Sequence, residues 1–324
     1  MRHILTIPTS RLTKRIWPQL TFSILWSIIY CKALSKVMAN GVFLPLTTLS
    51  LVSTFVAFLL TLRCNQGLSR LAEGRELWGR ALIVTRDTSQ LLATYAYRKD
   101  KNLSLLAVRY LSLFPWLLKD QLRDSNDEEI INTMIHPGAD RKYLLSQRKK
   151  PVAIIIRLRQ IVAHLESKKI LPFSAHLQLE RNLSEMNYVV GMCERLKGSP
   201  IPPAYTSHAS RLMMFYLLSL PVALHGTHLG NAVSSSSTFR TLLAIMHPPV
   251  TIVTAAVSYA MLGLDEISHV LELPFRLMPM HQISRNIMLD AVDALRCQPQ
   301  CLKPPMVAKS SYSQKESYDP PIYW

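Results

Sequence analysis

Two histidines, a serine run and a pair of neighbouring acids are the first places to look for chemistry in this chain. His225 and His228 stand three apart, a spacing that suits two ligands of one metal ion, but no acid or cysteine lies nearby to complete a set of three or four. They read as part of a polar connection. Ser234 to Ser237 have no adjacent base and read as a flexible linker rather than as nucleophiles. Asp265, Glu266 and Glu272 suit either coordination of a cation or the solvated start of a helix, where acids are favoured. The five cysteines, Cys31, Cys64, Cys193, Cys297 and Cys301, form no CxxC pair and no zinc spacing, and read as reduced and structural. No glycine-rich phosphate loop and no Ser/His/Asp motif is present. The reading is therefore of a protein that is not an enzyme, with no catalytic residue, no metal site and no cofactor.

Charge is the other chemical resource. The formal net charge is +16, which suits nucleic acid, an anionic membrane surface or small anions. Charged residues are nevertheless only 18% of the 324, against about a quarter in a soluble protein. The deficit is local. Residues 16–38 and 42–62 are apolar, and so are 205–224 and 239–264, the last interrupted by His247, Pro248 and Pro249. Lys32 and Lys36 lie one turn apart near the end of the first stretch, placed to snorkel or to face a watery path. Between 63 and 204, charges of both signs alternate with apolar residues at helical spacing, broken at Pro115, His136 to Gly138, Pro151 and Pro172.

The expectation is an all-α, polytopic membrane protein with four transmembrane helices and a large helical domain in water. Its segments are a basic flank (1–15), helices one and two (16–62), the helical domain (63–204), helices three and four (205–264), an amphipathic helical segment (265–297) and a disordered tail (298–324). Lysine and arginine concentrate in the two terminal flanks and the middle, which places all three on one side of the bilayer. Within the second stretch, Thr47, Leu51 and Phe55 fall at i, i+4 and i+8, on one helix stripe. That stripe suits ordinary helix packing, or the wall of a pore closed by a ring of identical subunits.

Three motifs then point to a family. RCNQGLSRLAEGRELWG at 63–79 resembles the segment that follows the second span in bestrophin-like channels, carrying Arg63, Asn65, Glu73, Gly74, Arg75 and Trp78. LSEMN at 183–187, followed by IPPAYT at 201–206, resembles the family's approach to its third span. GLDEISHVLELPF at 263–275, with Glu266, Pro274 and Phe275, resembles its post-span segment, and RLMPM at 276–280 is similar to the plant and algal branch, the thylakoid voltage-dependent chloride channels. The order and spacing match over residues 12–296.

The resemblance implies a homopentameric channel for chloride and similar monovalent anions, in a lipid bilayer, with no nucleic acid partner and with both termini cytosolic or stromal. It places Thr47, Leu51 and Phe55 in the pore neck and Leu177 at an inner aperture. It also points to a plastid thylakoid membrane, with the plasma membrane or another membrane as the alternative. The chain departs from the pattern at Cys64 (Thr in the family), Leu68 (Tyr) and Ala72 (an aromatic), and the acids that clasp calcium in animal relatives are missing after Phe275, so direct calcium activation is not expected. A cation-conducting relative and a non-conducting membrane scaffold are the competing expectations; a soluble nucleic-acid-binding enzyme is disfavoured by the uncharged stretches.

Overall fold

The computed structural model describes residues 11–34, 44–125, 128–135, 137–232 and 248–296. Every regular element among them is helical. α1 (Arg11–Ile29) runs into a π-helical turn (Tyr30–Leu34), and α2 (Leu46–Leu91) into another (Leu92–Ala96). There follow α3 (Lys101–Arg123), α4 (Glu128–Met134), α5 (Ala139–Ser146), α6 (Lys150–Ser167), α7 (Phe173–Gly198), α8 (Pro203–Ala232), α9 (Pro248–Leu271), α10 (Pro274–Leu277) and α11 (Met280–Arg296).

Proline explains most of the punctuation. Pro151 lies in the first turn of α6, and Pro203, Pro248 and Pro274 open α8, α9 and α10, where the missing N–H costs no helical bond. Pro115 departs from expectation: it does not break the chain but lies inside α3. α3 starts where the Asp100 carboxylate accepts from the Leu103 N–H at 3.2 Å, and it ends where Asp124 turns left-handed. α2 contains no proline over 46 residues, so it does not stop where the charges begin at Arg63. α8 likewise runs through residues 225 and 228, so the expected polar connection at His225 and His228 is helical backbone. Residues 233–247 and 297–324, with the serine run, the start of the fourth stretch and the tail, lie outside the described residues.

The chain divides into two compact units. One takes in the described residues of Met1–Arg70 and Pro200–Leu273; the other, those of Leu71–Ser199 and Pro274–Tyr323. In the first, Ile16, Leu20, Leu49, Val56, Leu60, Met213, Leu217, Leu220 and Leu262 form one apolar core shared by α1, the start of α2, α8 and α9. Single polar contacts tie the helices in register. Ser23 and Ser258 share a buried hydrogen bond of 2.7 Å, the Trp26 indole N–H donates to the Leu218 carbonyl, and the Tyr205 hydroxyl donates to the Leu59 carbonyl. In so apolar a setting, each fixes which turn faces which.

The second unit is built on α3, whose Leu111, Leu113, Phe114 and Leu118 are completely buried. α11 lays Met280, Ser284, Ile287, Ala291 and Leu295 inward at helical spacing, and Ser284 donates to the Pro115 carbonyl. The amphipathic period expected for this segment is the face that is buried.

Candidate functional site

In the first unit, α2 has two unlike faces. Leu49, Val56, Leu60 and Arg63 point into the unit and are buried. Leu51 and Phe55 are 66% and 68% exposed, Thr47 is exposed too, and Phe58 and Leu62 continue the same bare side. The three residues singled out by spacing therefore share a face that the protomer itself does not cover. Phe58 and Leu62 extend it at i+11 and i+15 from Thr47, a continuation that the same period contains.

Four hydroxyls in the first turns of this helix turn back on its own backbone. Ser50 donates to the Thr47 carbonyl, Ser53 and Thr54 to the Ser50 carbonyl, and Thr61 to the Ala57 carbonyl. Donors engaged in this way are withdrawn from other acceptors, so beside the Thr47 hydroxyl the bare face presents Leu51, Phe55, Phe58 and Leu62.

Partway along the same helix lies an ion-pair node. The Arg63 side chain is 5% exposed; its Nη1 is 2.5 Å from Asp265 Oδ1 and its Nε 2.8 Å from Glu272 Oε1. Ser210 joins from α8, donating to Asp265 at 3.2 Å. A planar fork between two carboxylates is the arrangement arginine suits and lysine does not. Asp265 and Glu266 are thus not a solvated helix start. They sit in the last turns of α9, where the helix dipole disfavours acids, and cations compensate them: Arg63 for Asp265, and Arg15 at 2.7 Å for Glu266. Glu272, just past the helix, pairs with Arg63 as well.

Close approach accompanies the node. A Cβ added at Gly67 would lie 2.7 Å from the Leu271 Cβ, so α2 and α9 meet there with no room for a side chain.

In the second unit, the remaining motif residues do structural duty. Trp78 is buried, and Glu73 pairs with Arg195 at 2.6 Å. Gly74 admits the Met278 sulfur, the Phe275 ring and Leu196 to within 3.3–3.7 Å of where its Cβ would be. Pro274 and Phe275 are buried, and Arg123 donates to the carbonyls of Phe275 and Met278. Asn65, in the first unit, and Arg75, in the second, are exposed, as are the two departures Leu68 and Ala72. Those two exchanges therefore leave the core of either unit untouched. Leu177 on α7 is 42% exposed, one turn from Phe173 at 75%, while Ala175 and Leu179 point inward. Cys193 is fully buried, and burial with the nearby charges of Glu73 and Glu194 pushes its thiol up to about 12. The described cysteines, Cys31, Cys64 and Cys193, are free thiols.

Of the described helices, two are long and apolar enough to cross a membrane, over Leu46–Ala96 and Val250–Leu271.

Comparison with known proteins fits this geometry. The family model for bacterial and fungal bestrophin proteins matches residues 1–293. Voltage-dependent chloride channel 2, chloroplastic, of Arabidopsis thaliana is 24% identical over 306 residues, covering 91% of this chain and 69% of that protein. A voltage-dependent anion channel-forming protein of Ralstonia nicotianae is 26% identical over 258 residues, covering 76% of this chain and 77% of its own length. The crystal structure of a bacterial bestrophin homolog from Klebsiella pneumoniae superposes with a TM-score of 0.77 at 25% identity, over 88% of this chain and all of that one.

Proposed function

Because this chain belongs to the bestrophin family, whose similar members are named as anion and chloride channels, we propose that it is the subunit of a homopentameric channel that conducts chloride and similar anions passively. The observation that carries the reading is the bare apolar face of α2, with Thr47, Leu51 and Phe55 lining the neck of a central pore. Five copies arranged about an axis would cover those faces and enclose the pore. α1, α2, α8 and α9 each cross the bilayer in this reading. A neck of this kind replaces little of an ion's hydration, so weakly hydrated anions pass more easily than strongly hydrated ones. Leu177 forms a second constriction on the aqueous side. The excess of lysine and arginine raises the local anion concentration near the mouth. By likeness to the Arabidopsis protein, whose name places it in the chloroplast, the proposed compartment is the thylakoid membrane; immunolocalisation in the source cell decides it.

The test of the whole reading is reconstitution in planar bilayers under a chloride gradient, together with the mass of the purified particle. Current reversing near the chloride equilibrium potential, from a particle of five protomers, is the expected outcome. Reversal at the cation equilibrium potential replaces anion with cation conduction. No current from a monomer held by other proteins replaces the channel with a membrane scaffold.

A further inference from the structure

Two adjoining cavities of about 300 and 320 Å³ open in the second unit among α3, α5 and α6, and share Leu106, Tyr110 and Asp140 as a common wall. They lie outside every residue assigned a part above. Their chemistry is mixed in a particular way. Leu106, Met134, Ile135 and Pro137 make one side of the first cavity apolar. Arg109 lines the same cavity, half-buried, with no ion-pair or hydrogen-bond partner among the described residues.

Two further donors face this space. α5 begins at its rim, and its N-cap residue Gly138 supplies no side-chain cap to the first N–H groups of the helix. Tyr110 is 1% exposed and lines both cavities, and its hydroxyl, which faces the Asp140 carboxylate, closes no well-aligned hydrogen bond among the described residues. A buried hydroxyl whose hydrogen bond is badly aligned is costly, and a better-placed acceptor entering the cavity would relieve that cost. Burial, the nearby Asp140 charge and the contact with that carboxylate push the phenol up, which keeps its proton in place to be donated. Asp140, the acid at this wall, is already neutralised: Arg157 pairs with it at 2.9 Å and stacks on the Tyr143 ring at 4.4 Å.

We propose that these cavities form a binding site for a small amphipathic carboxylate. Arg109, the α5 N-terminus and the Tyr110 hydroxyl receive the carboxylate, and the apolar wall receives the body. The volume is that of a small-molecule pocket, roughly 300–1,000 Å³.

The test is titration calorimetry of cinnamate into the purified full-length protein in detergent. Cinnamate is expected to bind saturably, one per protomer. Its neutral amide, cinnamamide, and the bodiless anion acetate should each bind at least about tenfold more weakly, the scale of one lost hydrogen bond to a charged group. Arg109→Gln should weaken cinnamate by about the same factor, and Tyr110→Phe by about threefold to tenfold. Arg159→Gln, at a surface pair with Glu180, should leave it unchanged. Equal binding of cinnamate and cinnamamide, full binding by Arg109→Gln, or no saturation overturns the site. The two small probes acting on the unaltered protein keep the test decisive even if a variant fails to fold.

Discussion

Replacing Arg63 by methionine removes the guanidinium from between Asp265 and Glu272 and leaves both carboxylates without it in a largely buried node. Their side chains are only 22% and 16% exposed, so water can take over little of what the guanidinium supplied. Removing one partner from a buried ion pair costs about 3–5 kcal/mol. For large domains each kcal/mol moves the melting temperature by roughly 2–4 °C, so the variant should lose about 10 °C. The readout is the fraction of intact particle after graded heating in detergent, followed by size exclusion. Two companions separate charge from packing. The triple variant Arg63→Met, Asp265→Asn, Glu272→Gln no longer strands a charge and should regain most of the loss. Arg63→Lys keeps the charge without the fork and should fall between. A single variant melting within about 2 °C of the parent would mean that water or another cation already serves the two acids, and a triple variant no better than the single would refute the electrostatic account.

Four other perturbations are sharply posed. Leu51→Ser and Phe55→Ser, at exposed positions, should change stability by less than about 0.5 kcal/mol while altering single-channel conductance, so thermal unfolding and bilayer recording should part company. Gly67→Leu should destabilise by about 1–3 kcal/mol through overpacking against Leu271, with Gly67→Ala milder, as read by melting. Asp100 is held below the usual carboxylate range by the Leu103 N–H and by Lys168, so its stabilising effect is complete above about pH 4 and is lost as the pH falls further; Asp100→Asn keeps the cap but should flatten that acid limb of the melting profile. Cys193, buried and with its thiol held at about 12, should resist maleimide at pH 8 until the protein is unfolded, whereas the part-exposed Cys64 should react in the folded state.

Local periodicity carried much of this structure into view. The stripe of Thr47, Leu51 and Phe55 and the inward face of α11 both follow from residues a few positions apart, because helical geometry converts that spacing directly into a face. What spacing could not convey are the partners. Asp265 and Glu272 looked like free acids because the cation that holds them lies 202 and 209 residues earlier. Nor does hydropathy mark a helix end: it changes sharply at Arg63, while the backbone continues, since arginine, glutamate and leucine are all good helix formers. Pro115 misled for a different reason: it removes a single helical N–H bond, a loss that the buried packing of α3 outweighs. A proline carbonyl remains a good acceptor, and here Ser284 uses it to seat α11. The close pass at Gly67 was invisible until α9 was in place.

The separation between Arg63 and its acids also sets a clock on synthesis. The ribosome must add more than 200 residues after Arg63 before Glu272 emerges. At about 5–20 residues per second, that interval is on the order of 10–40 s. Throughout it, the nascent chain holds Arg63 within α2 with neither Asp265 nor Glu272 to meet it. If α1 and α2 cross the membrane as proposed, they enter it as an unfinished pair, which only the arrival of α9 can lock. A chain stopped before α9 should stay dependent on the insertion machinery or be degraded, whatever the quality of its first helices.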